Sequence, residues 1–486
     1  MRFPVSQRDR DHTEKRRAFF DEVASQHLSP GPFKRYYNDR LSKWLKFNVP
    51  EGASILDLGC GLGDLLASLK PSFGVGVDFS EKMISLAQQR HPELTFIQAD
   101  VAQLNLTEQF DFIILSNLVG DLVDILQVFA GLETLSHDRT RVIVTNFNYL
   151  WSPLVKFAEY INIKPRQREQ NWLEMSELQN LLLLTGFETV KSSKDMLFPV
   201  HVPMIAELIN NYLGLIPGLS KLSANELVIA RPSHRTLHKE YSVSVIVACK
   251  DERGNIEELV KTVPKMGLWT EIIFVDGHSE DGTVEEIQRC IDEIDKLNPS
   301  LSAVRVMEQQ GKGKGDAVRM GFDAADGDVL MILDADITVC SEELPKFYYA
   351  LSEGKGEFIN GSRLVYPMDD QAMRFLNLLG NHFFGKLFSW LLDQRLTDTL
   401  CGTKVLFKKD YEAIKQGRAF FGDFDPFGDF DLLFGAAKQN MKICEVPVRY
   451  RNREYGEIKI SRFRHGLLLL KMSALAFKRF KLNVGK

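Results

Sequence analysis

The chain has 486 residues, 44% hydrophobic and 26% charged, with a net charge of −5. That length predicts about two to four domains, and that composition is globular, which excludes a collagen-like or intrinsically disordered chain. The charge is uneven: from Arg449 onward the sequence carries +9, against −14 for residues 1–448. Such a basic tail suits phosphate ligands or an anionic membrane surface rather than a general nucleic-acid footprint, so no nucleic-acid partner is expected. The six cysteines, Cys60, Cys249, Cys290, Cys340, Cys401 and Cys444, form no C-x-x-C pair. Neither a zinc site nor a disulfide framework is expected, and a reducing compartment is. No apolar h-region opens the chain, which predicts no secretory signal. The absence of any run of about 18 apolar residues predicts no transmembrane helix.

Residues 1–18 form a polar lead-in expected to be mobile. Amphipathic helix follows to about residue 37 and again at 41–47, broken by Ser29-Pro30-Gly31-Pro32. A short strand at 53–58 runs into Gly59, Gly61 and Gly63 and then a helix at 64–69. Strand, glycine-rich turn and helix make a nucleotide-binding βαβ start, because glycines allow close ligand approach and the helix amino terminus is electropositive. The next strand, 74–77, ends in Asp78, about 20 residues on, where an acid can grip ribose hydroxyls. Asp100 closes the strand at 94–99. Further strands are predicted at 111–115, 141–146 and 226–230, with a helix and turn at 171–186. The loop 117–121 is substrate-facing by position but offers no evident general base. Residues 196–222 are an apolar insertion with three prolines, fitting a lid, a patch resting on lipid, or a helical layer on the sheet.

The D-x-G-x-G-x-G loop beginning at Asp57, with Asp78 and Asp100, resembles the class I S-adenosylmethionine-dependent methyltransferases over about residues 20–235. The resemblance implies a Rossmann-like sheet and S-adenosylmethionine as cofactor, bound by Asp57, Gly59, Gly61, Gly63, Asp78 and Asp100. The three acids would contact its methionine end, its ribose and the adenine environment. A nicotinamide-dependent dehydrogenase also carries such a loop and is the competing assignment. A domain that binds the cofactor without turnover is a further alternative.

Residues 232–240 are polar and make a short linker. Beyond it the α/β pattern restarts. A strand at 243–248 exits into Cys249-Lys250-Asp251-Glu252, and a helix spans 255–263. The strand 271–275 ends at Asp276, and another lies at 303–307. Gly311-Lys312-Gly313-Lys314-Gly315 is a loop whose backbone and lysines suit phosphate, and a helix follows at 316–325. The continuous apolar run 329–333 predicts an inner strand covered on both faces. Alternation then puts Asp334 and Asp336 on one side with Ala335 turned away. The pair alone suits either a solvated turn or a divalent metal that also touches phosphate.

Four motifs occur in order: Ser244 to Glu252, Val275 to Thr283, Gly313 to Arg319, and Asp334-Ala335-Asp336. Together they resemble glycosyltransferase family 2, with the GT-A fold, and most closely its polyprenyl-phosphate (dolichol-phosphate mannose synthase-like) branch, over about residues 240–486. The resemblance implies a nucleotide-diphosphate sugar as donor, with Glu252 and Asp276 at its base and ribose. It implies that Asp334 and Asp336 hold Mg²⁺ or Mn²⁺ through the diphosphate, with Thr338 where some relatives have a glutamine ligand. Lys314, Arg363 in Gly-Ser-Arg, Arg453 and Lys459 would meet phosphate, and Asp398 would lie near donor and acceptor. Asp429 or Asp431 would face the acceptor, as general base if that acceptor is a hydroxyl. A polyprenyl-phosphate lipid or a glycan is the implied acceptor. Residues 465–486 suit a basic amphipathic helix, on an anionic leaflet or packed on the sheet.

The expected architecture is therefore α/β in two domains. A lead-in at 1–18 precedes a methyltransferase-like domain at 19–231, a linker at 232–240 and a glycosyltransferase domain at 241–486. The expected function is bifunctional, combining inverting sugar transfer with methyl transfer. The expected location is cytoplasmic and peripheral on the inner face of the membrane.

Overall fold

The computed structural model describes residues 14, 16–22, 24, 32–160, 171–233, 239–366, 375–420, 430–453, 455 and 462–482. The chain divides into two compact units, Met1–His234 and Arg235–Lys486.

The first unit is built on a seven-stranded sheet: β1 (Ser54–Leu58), β2 (Phe73–Asp78), β3 (Thr95–Gln98), β4 (Phe110–Ser116), β5 (Ser136–Phe147), β6 (Phe187–Asp195) and β7 (Asn225–Pro232), in the order β3-β2-β1-β4-β5-β7-β6. β1 to β5 are parallel, and β7 lies antiparallel between β5 and β6. In β1, Leu56 and Leu58 feed one core cluster and Ile55 the other, so the sheet is covered on both faces. Strand order reverses beside β1, which opens a crevice at the carboxyl edge, where β1, β2 and β4 end. β6, FETVKSSKD, was not among the predicted strands. It is a polar edge strand, half exposed for much of its length, so it lacks the apolar run of an inner strand. The lead-in also differs from expectation: Arg16 is buried and donates to the backbone oxygen of Asp121.

The second unit has its own seven-stranded sheet: β8 (Val243–Cys249), β9 (Thr270–Asp276), β10 (Ala303–Glu308), β11 (Val329–Ile332), β12 (Phe358–Ser362), β13 (Lys404–Phe407) and β14 (Ile443–Pro447), ordered β10-β9-β8-β11-β13-β12-β14. The first four are mutually parallel, and β13 is antiparallel to both β11 and β12. The apolar run of β11 is explained by alternation between two cores. Val329, Met331, Leu333 and Ala335 enter one cluster, Leu330 and Ile332 the other. Ala335 is buried, which leaves Asp334 and Asp336 on the opposite side, at the carboxyl edge of β11 next to β8. β12, β13 and β14 were not predicted.

Candidate active sites

In the first unit, the turn after β1 is closed by backbone. Gly59 and Cys60 N–H groups both donate to the Val77 carbonyl of β2, at 2.8 and 3.1 Å. Gly59, Gly61 and Gly63 have φ of +76°, +53° and +74°, a region costly for a side chain. Asp78 accepts from Gly61 N–H at 3.0 Å and Ser80 N–H at 2.9 Å, which pins the turn to the end of β2. A cavity of about 600 Å³ opens there, its wall including Asp57, Gly59, Gly61, Asp78 and Asp100. Gly63 is not part of that wall. It precedes the helix Asp64–Ser68, and a Cβ on it would lie 2.5 Å from Phe96 Cζ, so its task is close packing. Asp100 caps the turn Val101–Gln103 through Ala102 N–H at 2.9 Å.

Asp57 is 1% exposed, and neither carboxylate oxygen has a hydrogen-bond partner among the described residues. Burial, with Asp78 nearby, pushes its carboxyl up to about 7. Burial likewise raises Asp78. Two buried acids on one cavity wall ask for a cationic or hydroxyl-bearing ligand. The loop 117–121, expected to face substrate, also lines the cavity through Asn117 and Asp121, and both are held by residues that sequence alone did not single out. The buried Tyr37 hydroxyl donates to Asn117 Oδ1 at 3.0 Å, and its ring stacks on Phe147 with centroids 5.3 Å apart. Arg16 and Asp121 pair at 3.1 Å. These partners are 80 and 105 residues apart in sequence, which hides them from local pattern.

In the second unit, the acids at the carboxyl edge are each matched by a cation or a loop. Lys314, the first residue of the helix Lys314–Ala324, reaches Asp334 at 2.6 Å. Burial works against the charge of Asp334, but Lys314, Lys404 and Arg363 outweigh it and hold the carboxyl below its ordinary range. Asp336 Oδ2 accepts from Arg453, and its Oδ1 from the Thr338 hydroxyl at 2.7 Å. Arg453 also lies 4.0 Å from Glu252. Glu252 is buried, accepts from Asn255 Nδ2 at 2.8 Å, and is tied through its backbone N–H to Thr283. Asp276, ending β9, accepts from the backbone and hydroxyl of Ser279, so it orders its own turn as well as lining the edge. Asp281 similarly caps Thr283 and Arg253.

Three expected site residues, Arg363, Asp398 and Asp431, are held in buried ion pairs. Arg363 and Asp398 form a buried, two-pronged pair, with Nε to Oδ2 at 2.7 Å and Nη2 to Oδ1 at 2.9 Å. Two prongs of the Arg363 guanidinium face Asp398, and its charge still acts on Asp334. Asp431 is buried with Arg418 at 3.1 Å and Arg319 at 3.6 Å, and burial raises its carboxyl despite both arginines. Its side chain is 7% exposed and bridges Arg418 and, on the helix Lys314–Ala324, Arg319. Asp429 and Lys459 lie outside the described residues.

Comparison with known proteins follows this division. The family model for glycosyl transferase family 2 matches residues 244–414. The dolichyl-phosphate hexose transferase of Haloferax volcanii is 30% identical over 189 residues, which span 38% of this chain and 78% of that protein. The chain belongs to glycosyltransferase family 2. The dolichol-phosphate mannosyltransferase of Pyrococcus furiosus is 38% identical over 225 residues, 45% of this chain and 59% of that one. The family 2 chain thus spans little more than half the length of that second relative.

The methyltransferase domain model matches residues 55–135, so a glycosyltransferase domain is fused to a methyltransferase domain. Two solved structures are similar to the first unit. One is a methyltransferase from Haloferax volcanii in complex with its activator, with TM-score 0.36 and 15% identity, covering 44% of this chain and 98% of that one. The other is magnesium protoporphyrin IX methyltransferase from Synechocystis, with TM-score 0.33 and 19% identity, covering 46% and 100%.

Proposed function

We propose that the family 2 chain is bifunctional. Its second unit transfers a sugar, with inversion, from a nucleotide-diphosphate sugar to a polyprenyl-phosphate or glycan acceptor, and its first unit transfers a methyl group from S-adenosylmethionine. The observation that carries the first half is the pairing of Asp334 with Lys314 and Asp336 with Arg453 at the carboxyl edge of β11. Anions and cations alternate there within hydrogen-bond reach, which is what a diphosphate and its counter-cation need.

The donor set fits Mg²⁺ or Mn²⁺. Asp334 and Asp336 offer hard carboxylate oxygens and Thr338 a hydroxyl. Among the described residues no three His, Cys, Asp or Glu side chains are grouped to hold a metal, so phosphate and water oxygens would complete the shell. Bound there, the metal would supply charge neutralisation at the diphosphate. The chain's own part is to bind and orient. Lys314, Arg453 and Lys459 hold the phosphates, and Glu252 and Asp276 face the nucleoside. An acceptor hydroxyl would lose its proton to Asp429, whereas a lipid phosphate is already anionic and needs only orientation. An acceptor on a lipid would place the enzyme on the cytoplasmic side of a membrane, peripherally. No helix among the described residues is long and apolar enough to cross one.

In the first unit the fit is given by Asp57. Its two partnerless oxygens suit the ammonium of the methionine end, while Asp78 and Asp100 suit ribose and base. S-adenosylmethionine would supply an electrophilic methyl group, and Asn117, held by Tyr37, would help the cavity wall orient the acceptor toward it. The test is mass spectrometry of a lipid extract incubated with a panel of nucleotide sugars and S-adenosylmethionine, with S-adenosylhomocysteine measured alongside. Sugar and methyl mass gains support the proposal. Cofactor binding without S-adenosylhomocysteine would reduce the first unit to a binding module.

A further inference from the structure

The insertion 196–222 of the first unit is folded inside out. Its helix Ile205–Asn211 turns Ala206 and Asn210 inward, fully buried, and leaves Ile205 and Leu208 in water. Across the segment, Met204, Ile205, Leu208, Tyr212, Ile216 and Leu222 are between 45% and 83% exposed. This is not a loose loop. Asn210 donates to the Phe198 carbonyl and the Tyr36 hydroxyl and accepts from Phe198 N–H, at 2.7–2.9 Å. Arg40 clamps Asp195 at 2.6 and 2.7 Å and reaches Asn211 at 3.0 Å. The apolar surface continues onto Tyr149 and Leu150, because Asn148 and Trp151 donate to the Lys221 and Leu222 carbonyls at 2.9 Å. An outward apolar face of this extent, built on buried polar anchors, marks a docking surface.

Charge selects its occupant. The helix Pro32–Asn48, which Tyr36 and Arg40 hold against the insertion, carries five basic residues and one acid. Lys43 continues the row of Tyr36 and Arg40 at helical spacing and is exposed, as are Arg35, Lys46 and Lys221. Glu207 is the only acid between 196 and 222. An apolar face rimmed by cations and by the amphipathic rings of Tyr149, Trp151 and Tyr212 matches an anionic bilayer surface. The preference for lipid over protein also rests on the reading above that the second unit serves a lipid-borne acceptor.

We propose that this face seats the methyltransferase unit on an anionic leaflet, with residues 204–222 at the acyl boundary and the Pro32–Asn48 helix over the headgroups. The same helix walls the cofactor cavity through Lys34, Asn38 and Leu41, so the membrane contact borders the site itself.

The test uses the full chain with Met204→Cys carrying an environment-sensitive dye. Native cysteines are five buried and one half-buried, and the unsubstituted chain gives the background. Vesicles are phosphatidylcholine alone or with phosphatidylglycerol, with brominated acyl chains as quenchers. A dye on Glu133→Cys, exposed at the opposite edge of the sheet, is the control. The proposal expects a blue shift and quenching at position 204 only, with anionic vesicles only. Lys43→Glu with Lys221→Glu should weaken apparent affinity roughly tenfold or more, and Leu208→Glu should remove the quenching. A chain that floats with vesicles while position 204 stays in water overturns the proposal and leaves the glycosyltransferase reading intact. A shift without vesicles that grows with protein concentration also overturns it, in favour of a second copy. Quenching at 204 in a chain that makes no lipid-linked sugar leaves the docking standing and removes the other reading.

Discussion

Arg453 donates to the Asp336 carboxylate across 117 residues of sequence, and the same guanidinium stands 4.0 Å from Glu252. One cation therefore touches both the proposed metal ligand and the proposed nucleoside-side acid. Arg453→Ala should raise the donor KM at least tenfold, since charge-assisted contacts to phosphate contribute about 1.5–3 kcal/mol each. Arg453→Lys should recover part of that loss, because charge returns without the fork. Donor titration at fixed Mg²⁺ checks both.

The proposed role of Asp57 ties cofactor binding to pH. Its folded carboxyl sits at about 7, above the ordinary value of 3.8, so between those values the folded chain holds a proton that the unfolded chain has lost. Stability from this group is present below the unfolded value and is lost as pH rises toward 7. Cofactor affinity should move oppositely, because the proposed pairing is between the ammonium and the ionised acid. Asp57→Asn should raise the melting temperature of the ligand-free chain at pH 8 and flatten the pH dependence of S-adenosylmethionine binding while weakening it. Calorimetry between pH 5.5 and 8.5 reads both effects.

Gly402 faces Asp334 closely: a Cβ there would lie 2.1 Å from Asp334 Oδ2. Gly402→Ala must displace that carboxylate. Sugar transfer should fall roughly 10- to 100-fold with little change in melting, as misplacement near the reacting groups does. Methyl transfer in the same preparation should be unaffected, which controls for the amount of chain, while the melting of the second unit controls for its folding.

Arg363 and Asp398 should behave as a structural unit. Removing either leaves a buried charge, so Arg363→Ala should destabilise the second unit by about 3–5 kcal/mol. Arg363→Met with Asp398→Leu should recover most of that stability. Denaturant unfolding of the three variants decides whether the pair is support or phosphate-binding.

The sequence was legible where local pattern and chemistry coincide. The run Val329 to Leu333 showed a doubly covered strand because neighbouring residues feed opposite cores, and Asp334 and Asp336 followed from its phase. The Gly59 to Gly63 turn was visible because positive φ leaves few residue choices. β12 was hidden because Asn360-Gly361-Ser362 has the composition of a loop, yet Asn360 Nδ2 is satisfied inside by the Asp398 carbonyl at 2.7 Å. β6 was hidden by its polar edge composition. The Arg363–Asp398 and Tyr37–Asn117 pairs join residues far apart in the chain, and only the fold brings them together. The inward-facing Asn210 and outward-facing Leu208 reverse the usual amphipathic rule, which is why the insertion kept several meanings until its exposure was known.

The proposed role of Asp336 in holding a divalent metal on the donor diphosphate is read out by Asp336→Ala. Sugar transfer to a polyprenyl phosphate is measured with Mg²⁺ or Mn²⁺ titrated against the unsubstituted chain. Transfer should fall roughly 100-fold or more, and added metal should not restore it. Undiminished transfer by the variant, at the same metal dependence, would contradict that role.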